Sequence, residues 1–334
     1  MAGRRSVWSD PRILERAARF VPATDEVWRL QRGLGPESIA FQRMANGGHY
    51  RGKGGSRQGI YICTPTGELL CSANSLKADR VVELLDQGLE KWNALDPERQ
   101  AEVLLGEGSE LETDPRWEWS YPESGLVLRS TNRDLPTDGL PSSDPPHPRY
   151  NVDHAWFSAE EAMGFVPEER KRGASFEVDR SLLVRLARFH LVDNVRGQTL
   201  PFAAEEIETA RLTGLVTRVR NGKVELRFEG ETRAVTDGRW RMGENDWTPN
   251  REWPRSVHSE LFGGAVWNER TRRFDSFELV ALAEREGVTG LNGRRDDREG
   301  HLGFVFRLAD DTPADRIAPA FVDVYDASWI NVID

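Results

Sequence analysis

Residues 58–92 carry the clearest pattern of apolar and polar positions, and the pattern predicts a strand, a turn, a second strand and a helix. Residues 59–63 contain two isoleucines and a tyrosine, and residues 69–73 are mainly apolar again. The Thr-Pro-Thr-Gly segment between them supplies turn residues, because Pro fixes φ and Gly accepts a positive φ. Apolar side chains then recur along one helical face, at Val81, Leu85, Leu89 and Trp92.

Shorter elements are predicted before this unit. An Asp-Pro pair at 10–11 begins a helix, since Pro is well tolerated at the first helical position. Residues 20–22 form a short strand, and residues 36–44 form another helix. The resulting order of helix, strand, helix, hairpin and helix fills residues 1–105.

This order resembles the thioredoxin-like fold, an α/β fold whose second half is a hairpin followed by a packed helix. In that family a Trp-Cys-Gly-Pro-Cys motif opens the first long helix, whereas this chain has Trp8-Ser9-Asp10-Pro11-Arg12. The Trp and the Pro match, but Ser9 and Arg12 replace the cysteines, and the family's cis-proline is absent. Dithiol exchange needs a low-pKa thiolate at the helix start. The resemblance therefore implies a redox-inactive module.

Cys63 and Cys71 are the only cysteines of the chain and form a candidate redox pair. A three-residue loop at 65–67 would pair Cys63 with Leu69 and Tyr61 with Cys71, so that both thiols share a face diagonally, about 7–8 Å apart. A disulfide spans only about 4.4–6.8 Å between Cα atoms. A one-residue change of register would bring the two opposite each other. Free, buried cysteines are the prediction, and a thiol-dependent role is an alternative.

Residues 106–150 are predicted to be an irregular segment and linker between two domains. They contain one short strand, at 125–128, and the stretch 134–149 is rich in proline. The second domain then occupies residues 151–334, as a helical lead-in followed by β-structure.

The helical lead-in has clear capping signals. Ser158 and Glu161 form a capping box. A further helix begins at Asp179 or Ser181 and is predicted to end at Gly197.

The β-rich part has hairpin signals in regular succession. An Asn-Gly pair at 221–222 joins the predicted strands 212–220 and 223–228. A second hairpin turns around 268–273, and residues 301–308 alternate as another strand. At least five strands with local connections indicate an antiparallel sheet, curled into a half-barrel or forming a sandwich. The whole chain is then an α/β module followed by an α+β, β-rich domain.

His190, Asp193, Asp153 and His154 are the candidate residues for chemistry. On a helix, His190 and Asp193 would share a face as candidate catalytic residues, and the other two would converge with them as an acid–base pair or metal ligands. The alternative is a hydrogen-bonded core histidine, because His190 lies four residues after Leu186 on the apolar stripe. The R-F-H-L-V-D-N segment around His190 resembles uncharacterised bacterial proteins, and this resemblance implies no activity.

Tryptophans interleaved with arginines make a candidate binding surface in the second domain, through stacking and cation–π contacts. These candidate binding residues are Trp240, Trp247, Trp253, Trp267 and Arg196. Some of the tryptophans must also serve as core, because the domain has few large aliphatic residues.

Composition limits the classes of function. A net charge of −10 argues against broad nucleic-acid binding, which depends on Lys and Arg at phosphates. The sequence contains no apolar run of the roughly 20 residues that cross a bilayer, and its N-terminus lacks the apolar core of a secretory signal. A cytoplasmic protein without cofactor or bound metal is predicted.

The leading hypothesis is a non-enzymatic protein in which a redox-inactive thioredoxin-like module is fused to a β-rich binding or interaction domain. Its partner would be a protein or a small-molecule ligand, with no nucleic acid and no membrane. An enzyme or metal site around His190, Asp193, Asp153 and His154 is the alternative.

Overall fold

A computed structural model shows that the chain forms two compact units, Gly3–Arg116 and Trp117–Asp334. Each unit has a hydrophobic core of its own. The structure describes residues 7–8, 10–24, 27–50, 56–101, 120–136, 150–196, 199–236, 254–287, 294, 299–312 and 315–320.

The N-terminal unit combines helices with a β-hairpin. Its described elements are α1 (Pro11–Ala17), α2 (Val27–Leu30), α3 (Pro36–Gly47), β1 (Ile60–Cys63), β2 (Leu69–Ala73), α4 (Ala78–Asn93) and α5 (Pro97–Ala101). Helix α1 begins at the predicted Asp-Pro pair, where the Asp10 carboxylate accepts the Arg12 backbone N–H at 2.9 Å. Helix α4 buries Val81, Leu84 and Leu85 in the same core as the hairpin, so the predicted hairpin and helix are confirmed.

Residues 20–22 do not form the predicted strand. Phe20 packs against the core of this unit, but Val21 is 97% exposed, so the chain after Phe20 does not lie against the core as a strand would. Pro22 also lacks the backbone N–H that a sheet ladder needs. Within the described part of this unit, β1 and β2 are the whole sheet.

The hairpin register places the two cysteines on opposite faces. Cys63 pairs with Leu69 as predicted, but Cys71 pairs with Ile62 instead of Tyr61, because a β-bulge shifts the register between Ile62 and Cys63. Side chains alternate faces along a strand, so the residue next to Ile62 points away from Cys71. The prediction that the thiols share a face is therefore wrong.

The C-terminal unit combines short helices with long strands. Its described elements are β3 (Leu126–Leu135), β4 (Tyr150–Phe157), α6 (Ala159–Ala162), β5 (Ser175–Glu177), α7 (Arg180–Arg185), β6 (Ile207–Arg220), β7 (Lys223–Thr236), β8 (Arg255–Asn268), β9 (Arg273–Glu286) and β10 (Glu299–Leu308). Helix α7 continues as a π turn, Leu186–His190, and single 3₁₀ turns occur at Met163–Phe165 and Ala204–Glu206.

The strands of this unit form one eight-stranded antiparallel sheet in the order β4-β3-β10-β9-β8-β7-β6-β5. Strands β6 to β9 are a meander of 14-residue strands. Asn221 and Gly222 join β6 to β7 with φ values of 54° and 72°, as a type I′ turn requires. The predicted large antiparallel sheet is confirmed, as one open sheet in the described residues.

Strand β3 lies within the predicted irregular segment 106–150, so the sheet begins well before residue 151. The predicted strand at 125–128 continues to Leu135 and pairs with both β10 and β4. In the sequence, residues 129–135 are typical of a loop, because they include the polar residues Ser130, Asn132 and Asp134. Residues 106–119 and 137–149 of the predicted irregular segment lie outside the described residues.

The sheet curves around Phe165, which follows α6. The Phe165 ring centroid is 5.4 Å from that of Phe157 on β4 and 6.4 Å from that of Phe228 on β7. In a flat sheet these strands would be about 24 Å apart, at about 4.8 Å per strand. We call the concave side that carries Phe157 and Phe228 the inner face, and the opposite side the outer face.

Trp267 belongs to the core of the inner face and not to a binding surface. It is 2% exposed, and its ring packs edge-on against Phe274 with centroids 5.0 Å apart. Trp267 is thus one of the tryptophans that were predicted to serve as core, and the core around it also contains large aliphatic residues, among them Leu226, Leu261 and Leu279. Trp240, Trp247 and Trp253 lie outside the described residues.

Candidate functional site

The polar end of the inner face holds the candidate site. Alternating residues of β3 and β4 point inward here, and the polar ones among them are Ser130, Asn132, Asp134, Asn151 and Asp153. The chain that follows α7 lies against this end: the Asn132 side-chain amide donates to Asn194 Oδ1 at 2.7 Å. We call this region the polar end throughout.

Helix α7 and the π turn that follows it place His190 at the polar end. The helix begins at Asp179, whose carboxylate accepts the Ser181 backbone N–H at 2.9 Å, as predicted. The helix ends at His190 through the π turn, and not at Gly197, which lies outside the described residues. Because the helix stops at His190, Asp193 is not on a shared helical face with it, and this prediction is wrong.

His190 and Asp153 form a buried hydrogen-bonded pair. His190 Nδ1 lies 3.0 Å from Asp153 Oδ2, and the histidine side chain is 0% exposed. The other carboxylate oxygen accepts the Ala320 backbone N–H at 2.8 Å. Burial alone would raise the pKa of Asp153, but the hydrogen bonds from His190, Ala320 and the His154 backbone hold this pKa below its ordinary value. Since an ionised carboxylate only accepts, His190 Nδ1 carries the proton.

Asp193 belongs to a second group, the arginine–aspartate cluster of Asp134, Asp193, Arg196, Arg285 and Arg294. Arg294 donates from Nε and Nη2 to the two oxygens of Asp193, at 2.9 and 2.7 Å. Arg285 Nε lies 3.6 Å from Asp193, and Arg196 Nε donates to Asp134 Oδ2 at 2.7 Å. Arg196 thus holds the polar end together, and its assigned role as a binding residue remains a prediction.

Charge pairing in this cluster outweighs desolvation. Burial alone would raise the pKa of Asp134, but the guanidinium groups of Arg294 and Arg196 lower it below its ordinary value. Burial likewise works to lower the pKa of Arg294, and its hydrogen bonds to Asp193 and Asp134 raise it overall. Both ions therefore stay charged, and Arg294 does so in a fully buried position, where breaking its pairs is costly.

His154 is separated from the other candidates by the alternation of β4. It points to the face opposite Asp153, where its Nε2 lies 3.2 Å from Asp315 Oδ1. The predicted convergence of His190, Asp193, Asp153 and His154 is therefore realised for His190 and Asp153 alone. One residue along a strand reverses the side-chain direction, so adjacent residues cannot both face the same site.

Arg255 is a buried charge at the polar end that the sequence patterns did not single out. It donates to Thr199 Oγ1 at 2.8 Å and to the carbonyls of Leu200 and Pro201 at 2.7 Å, and it lies 4.1 Å from the Phe202 ring centroid. Burial lowers the pKa of Arg255 to about 10.

A sequence signal for the buried arginines does exist. Arg255 and Arg285 occupy inward positions that continue the alternation of buried apolar residues along β8 and β9. An arginine at a position where the alternation of the strand predicts a buried residue is a candidate for a buried charge. Asp134 similarly continues the inward series of β3, whose neighbouring positions are polar.

The arrangement supplies paired charges, and it does not assemble a metal site within the described residues. Among them, no three His, Cys, Asp or Glu side chains come together as ligands. None of the helices in the described ranges is long and apolar enough to span a bilayer. No family model, curated protein or solved structure matches the chain significantly.

Proposed function

We propose that this is a non-enzymatic protein of two parts: a redox-inactive thioredoxin-like module and a β-rich binding or interaction domain. One observation carries the proposal. In the C-terminal unit, the side chains suited to chemistry are bound to one another in buried pairs, whereas large apolar side chains are exposed on the outer face. His190 is 0% exposed, and Phe262 and Leu282 are 40% and 49% exposed.

The N-terminal unit supports the absence of dithiol exchange. Arg12 stands where the thioredoxin-like family has its second cysteine, and its guanidinium pairs with Asp10 and Asp79, each at 2.8 Å. Burial, with a smaller contribution from Cys71, raises the pKa of the Cys63 thiol to about 11. Such a thiol is almost entirely protonated near neutral pH and is a poor nucleophile.

The two cysteines also support a cytoplasmic location, which is part of this proposal. Both are free thiols, and a reducing compartment maintains thiols in this state. Cys63 donates to Met44 Sδ on α3 at 3.2 Å, and Cys71 donates to the Leu84 carbonyl on α4 at 3.5 Å. Cys71 is a small core residue, whereas Cys63 is half-buried and packs against α3.

An insulin-reduction assay with a supplied reductant tests the proposal. The wild-type protein and a Cys63→Ser, Cys71→Ser double variant should both show the background rate. A rate above background that disappears in the double variant would contradict it and favour a thiol-dependent role.

A second candidate function, an enzyme or metal site at His190, is favoured by one contact. A histidine oriented by a carboxylate recurs in acid–base and metal sites, and His190 and Asp153 have this relationship at 3.0 Å. Metal analysis of the purified protein tests this candidate, which requires stoichiometric metal that is lost on His190→Gln.

A further inference from the structure

The outer face carries an apolar patch across three adjacent strands. Phe262 on β8 pairs with Val280 on β9, which pairs with Val305 on β10. Leu282 lies beside them on β9 and pairs with Gly303. We call Phe262, Val280, Leu282 and Val305 the outer patch. Phe262 and Leu282 are exposed, and Val280 and Val305 are half-buried between them. Contiguous apolar groups that reach the surface in this way mark interaction surfaces more often than scattered ones.

Opposite charges flank the outer patch on its two sides. Next to the patch on β8 the outward acidic residue is Glu260, and on β3 the outward basic residues are Arg133 and Arg129, which lies 4.0 Å from Asp315. Glu260, Arg129 and Arg133 are exposed. The patch therefore has an acidic residue on β8 and basic residues on β3, and these two strands lie at equal distances from the line between β9 and β10.

We propose that the outer patch is covered by a second copy of this chain, related by a two-fold axis that runs parallel to the strands between β9 and β10. This inference rests on the proposed binding role of the C-terminal unit and names its surface and its partner. A two-fold contact is isologous, so every residue on one side meets its counterpart on the other side.

The register of the sheet makes the outer face complementary to itself under this rotation. Glu260, Leu282, Gly303 and Arg133 lie in one row across β8, β9, β10 and β3. Rotation about the axis places Glu260 of one copy opposite Arg133 of the other. It also places Leu282 opposite Gly303, where the Leu135 side chain lies over the glycine, 3.1 Å from the position of an added Cβ.

The next row consists of three apolar residues and one threonine. Phe262, Val280, Val305 and Thr131 lie in register across the same four strands. The rotation sets Val280 against Val305 and Phe262 against Thr131. An apolar centre with a charged rim is the composition of stable protein interfaces.

The curvature of the sheet is consistent with apolar residues at the centre of the interface and charged residues at its sides. Two convex faces approach most closely along the axis, where the short valines lie, and diverge toward the sides. Glu and Arg have the long side chains that reach across the wider gap. A contact between two identical copies requires acidic and basic residues at mirrored positions, whereas a contact with an unrelated protein does not. The mirrored charges therefore favour a second copy.

Sedimentation velocity of the full-length protein over a range of concentrations tests the proposal. We expect a species of twice the 37.8 kDa chain mass. Arg133→Glu or Glu260→Arg alone should weaken association by about tenfold or more, because each places like charges opposite each other. The double variant should restore association, since the two positions in one chain are three strands, or about 14 Å, apart and meet only between copies.

Two variants of the same charge change serve as controls. Lys171→Glu and Glu169→Arg alter exposed charges in the loop before β5 and should leave association unchanged. Leu282→Asp should give a monomer, and thermal melting identifies any variant that fails to fold.

Three results would overturn the inference: a wild-type monomer at all concentrations, a dimer insensitive to both charge reversals, or single-variant defects that the double variant does not repair. None of these results would change the outcome of the insulin-reduction assay or of the metal analysis. The proposed function and the dimer face therefore fail separately.

Discussion

His190 Nδ1 and Asp153 Oδ2 are joined by a 3.0 Å hydrogen bond in which the histidine side chain is fully buried. The same carboxylate accepts the Ala320 backbone N–H, so one side chain links the end of α7, strand β4 and the chain after β10. A charge in this position holds three segments of the C-terminal unit together. Its contribution to stability should therefore depend on pH.

Asp153 is expected to make the C-terminal unit sensitive to acid. Its pKa is lowered in the folded state, so its contribution to stability is present above the ordinary Asp pKa of about 3.9 and is lost as pH falls toward the folded value. Asp153→Asn should lower the free energy of unfolding at pH 7 and lose less stability than wild type on acidification. Urea denaturation at several pH values measures both, and parallel pH curves for the two proteins would contradict this assignment.

The arginine–aspartate cluster should depend strongly on Asp193. Asp193→Asn leaves Arg294 buried with its main counter-charge removed, and breaking a buried pair costs roughly 3–5 kcal/mol. Glu208→Gln is the control, because its pair with Arg233 is half-exposed and such pairs contribute about 0–1 kcal/mol. Urea unfolding of the C-terminal unit compares them. Equal losses of unfolding free energy in the two variants would show that the cluster is solvated and contributes little to stability.

The hairpin cysteines should resist both oxidation and alkylation. Because Cys63 and Cys71 point to opposite faces, mild oxidant should not remove two hydrogens from the intact chain. Cys63 should react slowly with iodoacetamide at pH 8 and faster as pH approaches its thiol pKa of about 11. Intact mass and peptide mapping measure both outcomes. A mass loss of two hydrogens, mapped to a Cys63–Cys71 link, would disprove the described register.

Trp267 should behave as core. Trp267→Ala removes a buried ring and should cost about 3–5 kcal/mol of unfolding free energy, whereas Trp267→Phe keeps most of the packing against Phe274 and should cost less. Chemical denaturation of the two variants gives the difference. A tolerated Trp267→Ala would return this residue to the predicted binding surface.

Local turn and capping chemistry was predictable from the sequence. The Asn-Gly turn at 221–222, the capping box of Ser158 and the Asp10 cap depend on residues that are close in sequence, and all three form. Strand lengths were underestimated, because charged residues on the outer face interrupt the apolar pattern without ending the strand. The alternating burial of β7 and β9 shows this directly.

Non-local pairing was not predictable from these patterns. Strand β3 pairs with β10, which lies more than 150 residues later, so its polar inward residues look like a loop until their buried partners are known. The contact of Asp193 with Arg294 joins residues 101 positions apart. No turn residue in the sequence indicates the β-bulge beside Cys63. The shift of register at this bulge places the two thiols on opposite faces of the hairpin.

The most direct test of the central claim, that the polar end stabilises the fold and performs no chemistry, is His190→Gln measured by thermal denaturation together with metal analysis. We expect a lowered Tm, equivalent to about 1–3 kcal/mol for the unsatisfied buried partner, and no stoichiometric metal in either protein. An unchanged Tm with zinc or iron present in the wild type and lost in the variant would contradict the account and establish a metal site at His190.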